Sequence, residues 1–132
     1  MAIKTKSIFE PIQKEDGIRI LVTRYYARGI KQNHFDYWLR ELSPSATILF
    51  GYKHGKLTWD DFKNALLQEL KKNIDSLEAI YSLNDEIARR DITLLCYEKA
   101  GNPCHRHIIR DLIESPELLH LDLMSENTDI HK

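Results

Sequence analysis

The sequence lacks several features that mark whole classes of protein. It contains no apolar run approaching the ~18 residues that a membrane span needs, so no membrane association is predicted. Met1–Pro11 carries basic residues but no apolar core, unlike a secretory signal. With 5 glycines and 4 prolines in 132 residues, a fibrous or low-complexity chain is excluded. We therefore expect a cytoplasmic globular protein.

An excess of one charge is also absent, and cysteine is scarce. The 19 Lys and Arg against 20 Asp and Glu give a net charge of −1. This balance makes nucleic acid an unlikely general partner, although it leaves room for a local basic site. The two cysteines, Cys96 and Cys104, show no CxxC spacing and are too few for a disulfide scaffold. We expect both to be reduced thiols.

Apolar patterns along the chain predict strands separated by helices. Alternation in Ile3–Phe9 indicates an edge strand, and the apolar runs Ile18–Tyr25 and Ile92–Tyr97 indicate central strands. A further alternating run, Leu118–Leu123, predicts the last strand. Helical stripes and capping residues predict helices at Asn33–Leu42, from Thr58 to about Lys72, from Asp75 or Ser76 to about Arg90, and from Asn102 to about Glu114.

This order predicts an α/β fold. We expect a single small domain over residues 1–124, with a mixed, mostly parallel sheet of about four strands flanked by helices. Residues 125–132 form a polar tail in this interpretation. Because an edge strand can pair with a second copy of the chain, both a monomer and a homodimer are compatible with this interpretation.

The most informative stretch is Leu95–Arg110, which is predicted to run from a strand end through a loop into a helix start. Ligands of α/β sheets bind outside the carboxyl ends of the strands, and helix starts attract anions. The i, i+4 spacing of the helix places Cys104 and His105 on its core-facing stripe. We therefore expect one corner of the sheet to gather Cys96, Glu98, Cys104, His105 and Arg106.

Four interpretations of this corner remain open. The thiols of Cys96 and Cys104 could simply be small buried hydrophobes, as free cysteines often are. The corner could instead bind an anion through Arg106, with Glu98 or His105 transferring protons. A third interpretation is a reactive or paired thiol at the helix start. The least supported is a metal site that adds His107, because its spacing fits no standard zinc pattern, and no metal or cofactor is predicted.

Three segments resemble a known family. LLCYEKAGNPCHRHIIRDLI resembles the C-terminal signature of the domain of unknown function 488 family. IRILVTRYYARGIK and FDYWLRELSPS resemble successive blocks of its YeaO-like branch, with Arg24 and Arg28 in the first. The resemblance implies a small α/β fold without naming a reaction. It also implies that Arg24 and Arg28 share a site with the Cys96–Arg106 corner.

The sequence therefore predicts one anion-binding, candidate catalytic pocket at the Cys96–Arg106 corner. The candidate ligand-binding residues are Arg24, Arg28, Cys96 and Arg106, and the candidate catalytic residues are Glu98, His105 and Cys104. The expected partner is a small anionic ligand. The alternative is a non-enzymatic binding or regulatory module that contacts nucleic acid or a protein, and whether the chain is an enzyme stays open.

Overall fold

A parallel sheet forms the centre of the molecule. The computed structural model describes residues 2–26, 29–98 and 104–119. Its strands are β1 (Ile3–Ser7), β2 (Ile18–Leu21), β3 (Tyr37–Trp38) and β4 (Ile92–Cys96), in the spatial order β1-β4-β2-β3. Each pairing among the described residues is parallel. The α/β class and the edge position of β1 are confirmed, and the sheet is wholly parallel where the sequence suggested a mixed one.

The described residues form four α-helices. These are α1 (Ala46–Lys53), α2 (Trp59–Lys72), α3 (Ile74–Glu86) and α4 (His105–Glu114). The predicted start of α2 is confirmed, since the Thr58 hydroxyl accepts from the Asp61 amide at 3.1 Å and the Asp61 carboxylate accepts from the Thr58 amide at 3.3 Å. Helix α3 begins slightly earlier than predicted because the Asn73 side chain caps it. None of the described helices is long and apolar enough to cross a membrane.

The period of two along the strands separates the two faces of the sheet. On one face, Ile20, Val22, Ile92 and Leu94 share a buried cluster with side chains of α2, α3 and α4. On the other face, Leu21 and Leu95 pack with Ile8 against partly buried side chains from loops and from β3: Ile30, Phe35, Trp38 and Tyr97. Helices therefore cover one side of the sheet and loops the other.

The helix predicted over Asn33–Leu42 is wrong. This segment forms two 3₁₀ turns around β3 instead. Backbone bonds to β2 decide its conformation, since the Asp36 amide donates to the Arg19 carbonyl at 2.7 Å and the Leu39 amide donates to the Leu21 carbonyl at 2.9 Å. Pairing with an existing strand thus overrides a local helical pattern.

The last predicted strand also fails where the structure describes it. Leu118 and Leu119 lie in a helical turn, with amides that donate to Ser115 and Pro116. The remainder of Leu118–Leu123 and the predicted tail at 125–132 lie outside the described residues. The described sheet still has four strands, because β3 lies within the segment for which the sequence predicts a helix.

Candidate functional site

The site lies where β2 and β4 end side by side. The strands pair in parallel as far as Leu21 and Leu95, and the Val22 amide extends the pairing with a 3.0 Å bond to the Leu95 carbonyl. The carboxyl ends of β2 and β4 therefore lie next to each other, at the edge where α/β sheets bind their ligands. A cavity of about 120 Å³ opens at this edge of the sheet. Its polar lining includes Thr23, Arg24, Lys53, Cys96, Glu98, Cys104 and His105.

Helix α4 brings His105 to this edge with a fixed ring orientation. The helix buries Ile108, Ile109, Leu112 and Ile113, as the spacing predicted. Its N-cap residue is Cys104 and not the predicted Asn102, which lies outside the described residues. On the same face, His105 Nε2 lies 2.5 Å from the Val22 carbonyl oxygen. Because a carbonyl only accepts, this nitrogen carries the hydrogen.

The remaining ring nitrogen faces both thiols. His105 Nδ1 lies 3.6 Å from Cys104 Sγ and 4.0 Å from Cys96 Sγ. Both cysteines are free and 5% exposed. Cys96 ends β4 and Cys104 directly precedes α4, so the end of this strand and the start of this helix lie at the same corner. The predicted convergence of these three residues is present in the structure.

The pKa values of the two thiols are shifted in opposite directions. The hydrogen bond from the Cys104 thiol, opposed by burial and assisted by His105, lowers the pKa of Cys96 to about 3. The same hydrogen bond, together with burial, raises the pKa of Cys104 above that of an ordinary thiol. The two sulfurs therefore share one proton, which stays on Cys104. The arrangement offers a thiolate and a thiol proton within one pocket.

Hydrogen bonds from side chains fix the segment that carries Arg24. The successive carbonyls of residues 22–25 each accept a hydrogen bond. His105 donates to the first, Trp38 Nε1 to the second at 2.7 Å, Arg40 Nε to the third at 3.1 Å, and the Thr23 hydroxyl to the fourth at 2.9 Å. Residues after a strand end are commonly mobile, but here every carbonyl of the segment has a partner. The backbone of Arg24 is thus held against the cavity.

Arg24 is one of the residues that line the cavity. Its guanidinium carbon lies 5.9 Å from the centre of the Tyr25 ring, within cation–π range. Its Nε is buried and has no hydrogen-bond partner among the residues that the structure describes. Arg28, which the family resemblance joined to this site, lies outside the described residues.

Arg106 occupies a different place from the one expected. It is only 1% exposed and donates through Nη1 to the Glu98 carbonyl at 3.0 Å. It contributes to the position of the loop after β4 and is not among the residues that line the cavity. Its predicted contact with a ligand stays a prediction. Glu98 itself is exposed and lines the cavity, as a candidate acid or base should.

Sequence reasoning missed the wall contributed by α1 and α2. Tyr52, Trp59 and Phe62 line the cavity, with ring centres 5.1 to 5.5 Å apart, and Lys53 stands exposed beside them. Trp59 and Phe62 lie on the apolar side of α2, and helical spacing of this kind is also typical of a core face. The sequence around Tyr52 and Lys53 carries no pattern that marks a binding wall.

The comparisons agree with these features. The family model DUF488-N3a, described as the active DUF488-N3 subclade, matches residues 3–117. The chain belongs to the DUF488 family. This confirms the resemblance seen in the three sequence segments. The match spans both strands and the helix that build the cavity.

Curated relatives show the same relationship. The chain is 28% identical over 117 residues to the uncharacterized protein YeaO of Escherichia coli (strain K12), a match that covers 87% of this chain and 99% of YeaO. It is 27% identical over 70 residues to the uncharacterized protein Rv3073c of Mycobacterium tuberculosis (strain ATCC 25618 / H37Rv), covering 52% of this chain and 59% of that protein. No solved structure gives a significant match.

Proposed function

We propose that this protein is an enzyme whose cavity binds a small anionic substrate and attacks it with a cysteine thiol. One observation carries the proposal. Cys96 Sγ, Cys104 Sγ and His105 Nδ1 all lie within 4.8 Å of one another, in a cavity that Arg24 also lines. A nucleophile, a proton donor and a cation are the parts that nucleophilic catalysis on an anion requires.

Each residue has a role in this proposal. Cys96 is the nucleophile, because it sits at the end of β4 beside the imidazole. Cys104 holds the proton that the two sulfurs share, and His105 lies beside both sulfurs. Glu98 is a second acid or base at the same cavity. The word "active" in the description of the matching subclade supports catalysis over a purely structural use of these residues.

Arg24 is the anion-binding residue of the described part of the site. A guanidinium presents a planar fork that suits carboxylates and phosphates. A ligand oxygen near the buried Nε would supply the partner that the described residues do not. Lys53 adds a second positive charge at the cavity, and the aromatic wall of α1 and α2 supplies apolar contact.

A continuous basic face that joins Arg24, Arg28, Arg106 and Arg110, without a concave pocket, would favour the alternative of a non-catalytic binding module. The burial of Arg106 interrupts such a face in the described residues, and a concave cavity lies beside it. These observations favour the substrate pocket.

Two alkylating reagents of similar size test the proposal. Iodoacetate is an anion and iodoacetamide is neutral, so the ratio of their rates with the folded protein measures anion attraction separately from thiol reactivity. We expect Arg24→Gln to lower this ratio about fivefold, which corresponds to roughly 1 kcal/mol for a partly buried charge interaction. The rate with iodoacetamide should stay close to wild type.

Arg90→Gln is the matched control. Arg90 is 63% exposed, pairs with Glu86 at 2.6 Å and precedes β4, at the opposite end of the sheet from the cavity. Its removal changes the net charge by the same amount and should leave the ratio unchanged. An equal change in both variants, or no change in either, would contradict the proposal.

A further inference from the structure

We infer that Cys96, Cys104 and His105 also bind a thiophilic divalent metal ion of the Zn²⁺ class, with one coordination position left facing the cavity. The inference uses side chains of the proposed catalytic pocket but does not depend on its preference for anions. Within the described residues, these three form the one group of His, Cys, Asp or Glu donors close enough to share an ion. All three are buried.

The spacing of the donor atoms suits a tetrahedral ion. Zinc–sulfur bonds of about 2.3 Å and zinc–nitrogen bonds of about 2.0 Å place two tetrahedral donors roughly 3.5 to 3.8 Å apart. The nitrogen–sulfur separations are 3.6 Å for Cys104 and 4.0 Å for Cys96. Every pair of the three donor atoms lies within 4.8 Å. Small side-chain adjustments would therefore bring all three donors to bonding distance.

The imidazole already has the orientation of a metal ligand. Metal-binding histidines usually donate their second ring N–H to a carboxylate or a backbone carbonyl, which fixes the ring and its tautomer. His105 makes this contact with the Val22 carbonyl at 2.5 Å. In the neutral ring, the lone pair of Nδ1 then points toward the two sulfurs.

Among the residues that the structure describes, three can bind the metal, so one of the four tetrahedral positions has no described protein ligand. Structural zinc sites are closed by four protein ligands, whereas catalytic sites keep one position for water or substrate. His107, the fourth residue of the set considered from the sequence, faces β1 instead, with Nδ1 3.4 Å from the Thr5 hydroxyl. Because all three ligand residues line the cavity together with Arg24 and Glu98, the inference places the open position on the cavity side.

Metal binding has a defined chemical balance. Both sulfurs bind as thiolates, so any thiol proton that the pair holds is released to solvent as the metal–sulfur bonds form. No electron is transferred and no oxidant is needed. With the ion bound, neither sulfur is a free nucleophile, so the thiol chemistry proposed above belongs to the metal-free protein.

Cobalt(II) titration of the reduced, metal-free protein tests this inference, because thiolate–cobalt bonds give an absorption band that water and carboxylate ligands do not. We expect one cobalt ion per chain, displaced by Zn²⁺, and at least about tenfold weaker binding in Cys96→Ser, Cys104→Ser and His105→Gln. His107→Gln is the matched control on the same helix and should bind as wild type does. Circular dichroism checks that each variant is folded.

A second readout covers variants that fail to fold. In wild-type protein, one equivalent of Zn²⁺ should block alkylation of both cysteines, and a chelator should restore it. The inference is overturned if no thiolate–cobalt band forms, if the three variants bind as tightly as wild type, or if Zn²⁺ leaves the thiols reactive. Arg24→Gln should retain metal binding, so failure of the anion proposal and failure of this one are separately visible.

Discussion

Replacement of Gly17 by alanine tests how the two strands of the site are brought together. Gly17 joins a 3₁₀ turn to β2 with φ of 64° and ψ of −133°. A Cβ at this position would lie 2.0 Å from the carbonyl oxygen of Asp91 and 2.6 Å from its carbonyl carbon. The Ile18 amide donates to this same carbonyl at 2.9 Å, just before β4. The pairing of β2 with β4 therefore begins at this close approach between Gly17 and Asp91.

The cost of Gly17→Ala has two parts. A left-handed backbone conformation costs a residue with a Cβ about 1–3 kcal/mol. The added methyl group must also move the Asp91 carbonyl away, which strains the turn and weakens the Ile18 hydrogen bond at a further cost of roughly 2 kcal/mol. We expect a total loss of about 3–5 kcal/mol, which lowers the melting temperature by roughly 10 °C or more in a chain of this size.

Gly55→Ala is the control for the first part of this cost. Gly55 has φ of 73°, but no heavy atom outside its immediate neighbours lies within 4 Å of its would-be Cβ. Urea denaturation of wild type and both variants at pH 7 gives the two free energies of unfolding. Equal losses in the two variants would refute the argument, because they would show that the contact with Asp91 adds nothing.

Two further predictions concern buried polar contacts. Burial alone would raise the pKa of Asp16, but hydrogen bonds from a backbone amide, Lys6 and Arg19 lower it overall. Because the pKa is lower in the folded protein, the ionised carboxylate stabilises the fold at any pH above the ordinary carboxyl pKa. This stabilisation is lost as the pH falls through the pKa of Asp16 in the folded protein. Asp16→Asn should cost about 3 kcal/mol at pH 7 and lose less stability on acidification than wild type, and parallel acid denaturation curves would contradict this. Trp38→Phe removes the 2.7 Å bond to the Thr23 carbonyl and should cost about 1 kcal/mol by urea denaturation. The same substitution should also lower the ratio of the alkylation rate with iodoacetate to the rate with iodoacetamide. An unchanged ratio would show that this hydrogen bond does not position Arg24.

The parts of the fold that the sequence predicts are those with local signals. Strand β1 alternates, β4 is a short and mostly apolar run, and the caps of α2 are side chains next to the helix they begin. The segment around β3 has a helical apolar stripe, yet its conformation depends on hydrogen bonds to β2. Those bonds join residues that are distant in sequence, so no local pattern could reveal them.

The same distinction applies to the site. The helical phase of α4 was enough to predict that Cys104 and His105 face Cys96. The contact between His105 and the Val22 carbonyl spans 83 positions and depends on the order of strands in the sheet. Arg106 is likewise buried with a hydrogen bond to the Glu98 carbonyl, a contact that no periodicity of the sequence describes.

The proposed function depends most directly on whether Cys96 and Cys104 belong to an accessible site or to the core. Thiol titration with a disulfide reagent, in reduced and metal-free protein under native conditions, decides between them. We predict that Cys96 reacts in the folded state, at a rate that rises in proportion to reagent concentration, because it lines a cavity that a small molecule can enter. If both thiols reacted only at the rate of global unfolding, whatever the reagent concentration, Cys96 and Cys104 would be core residues and the proposed site would be wrong.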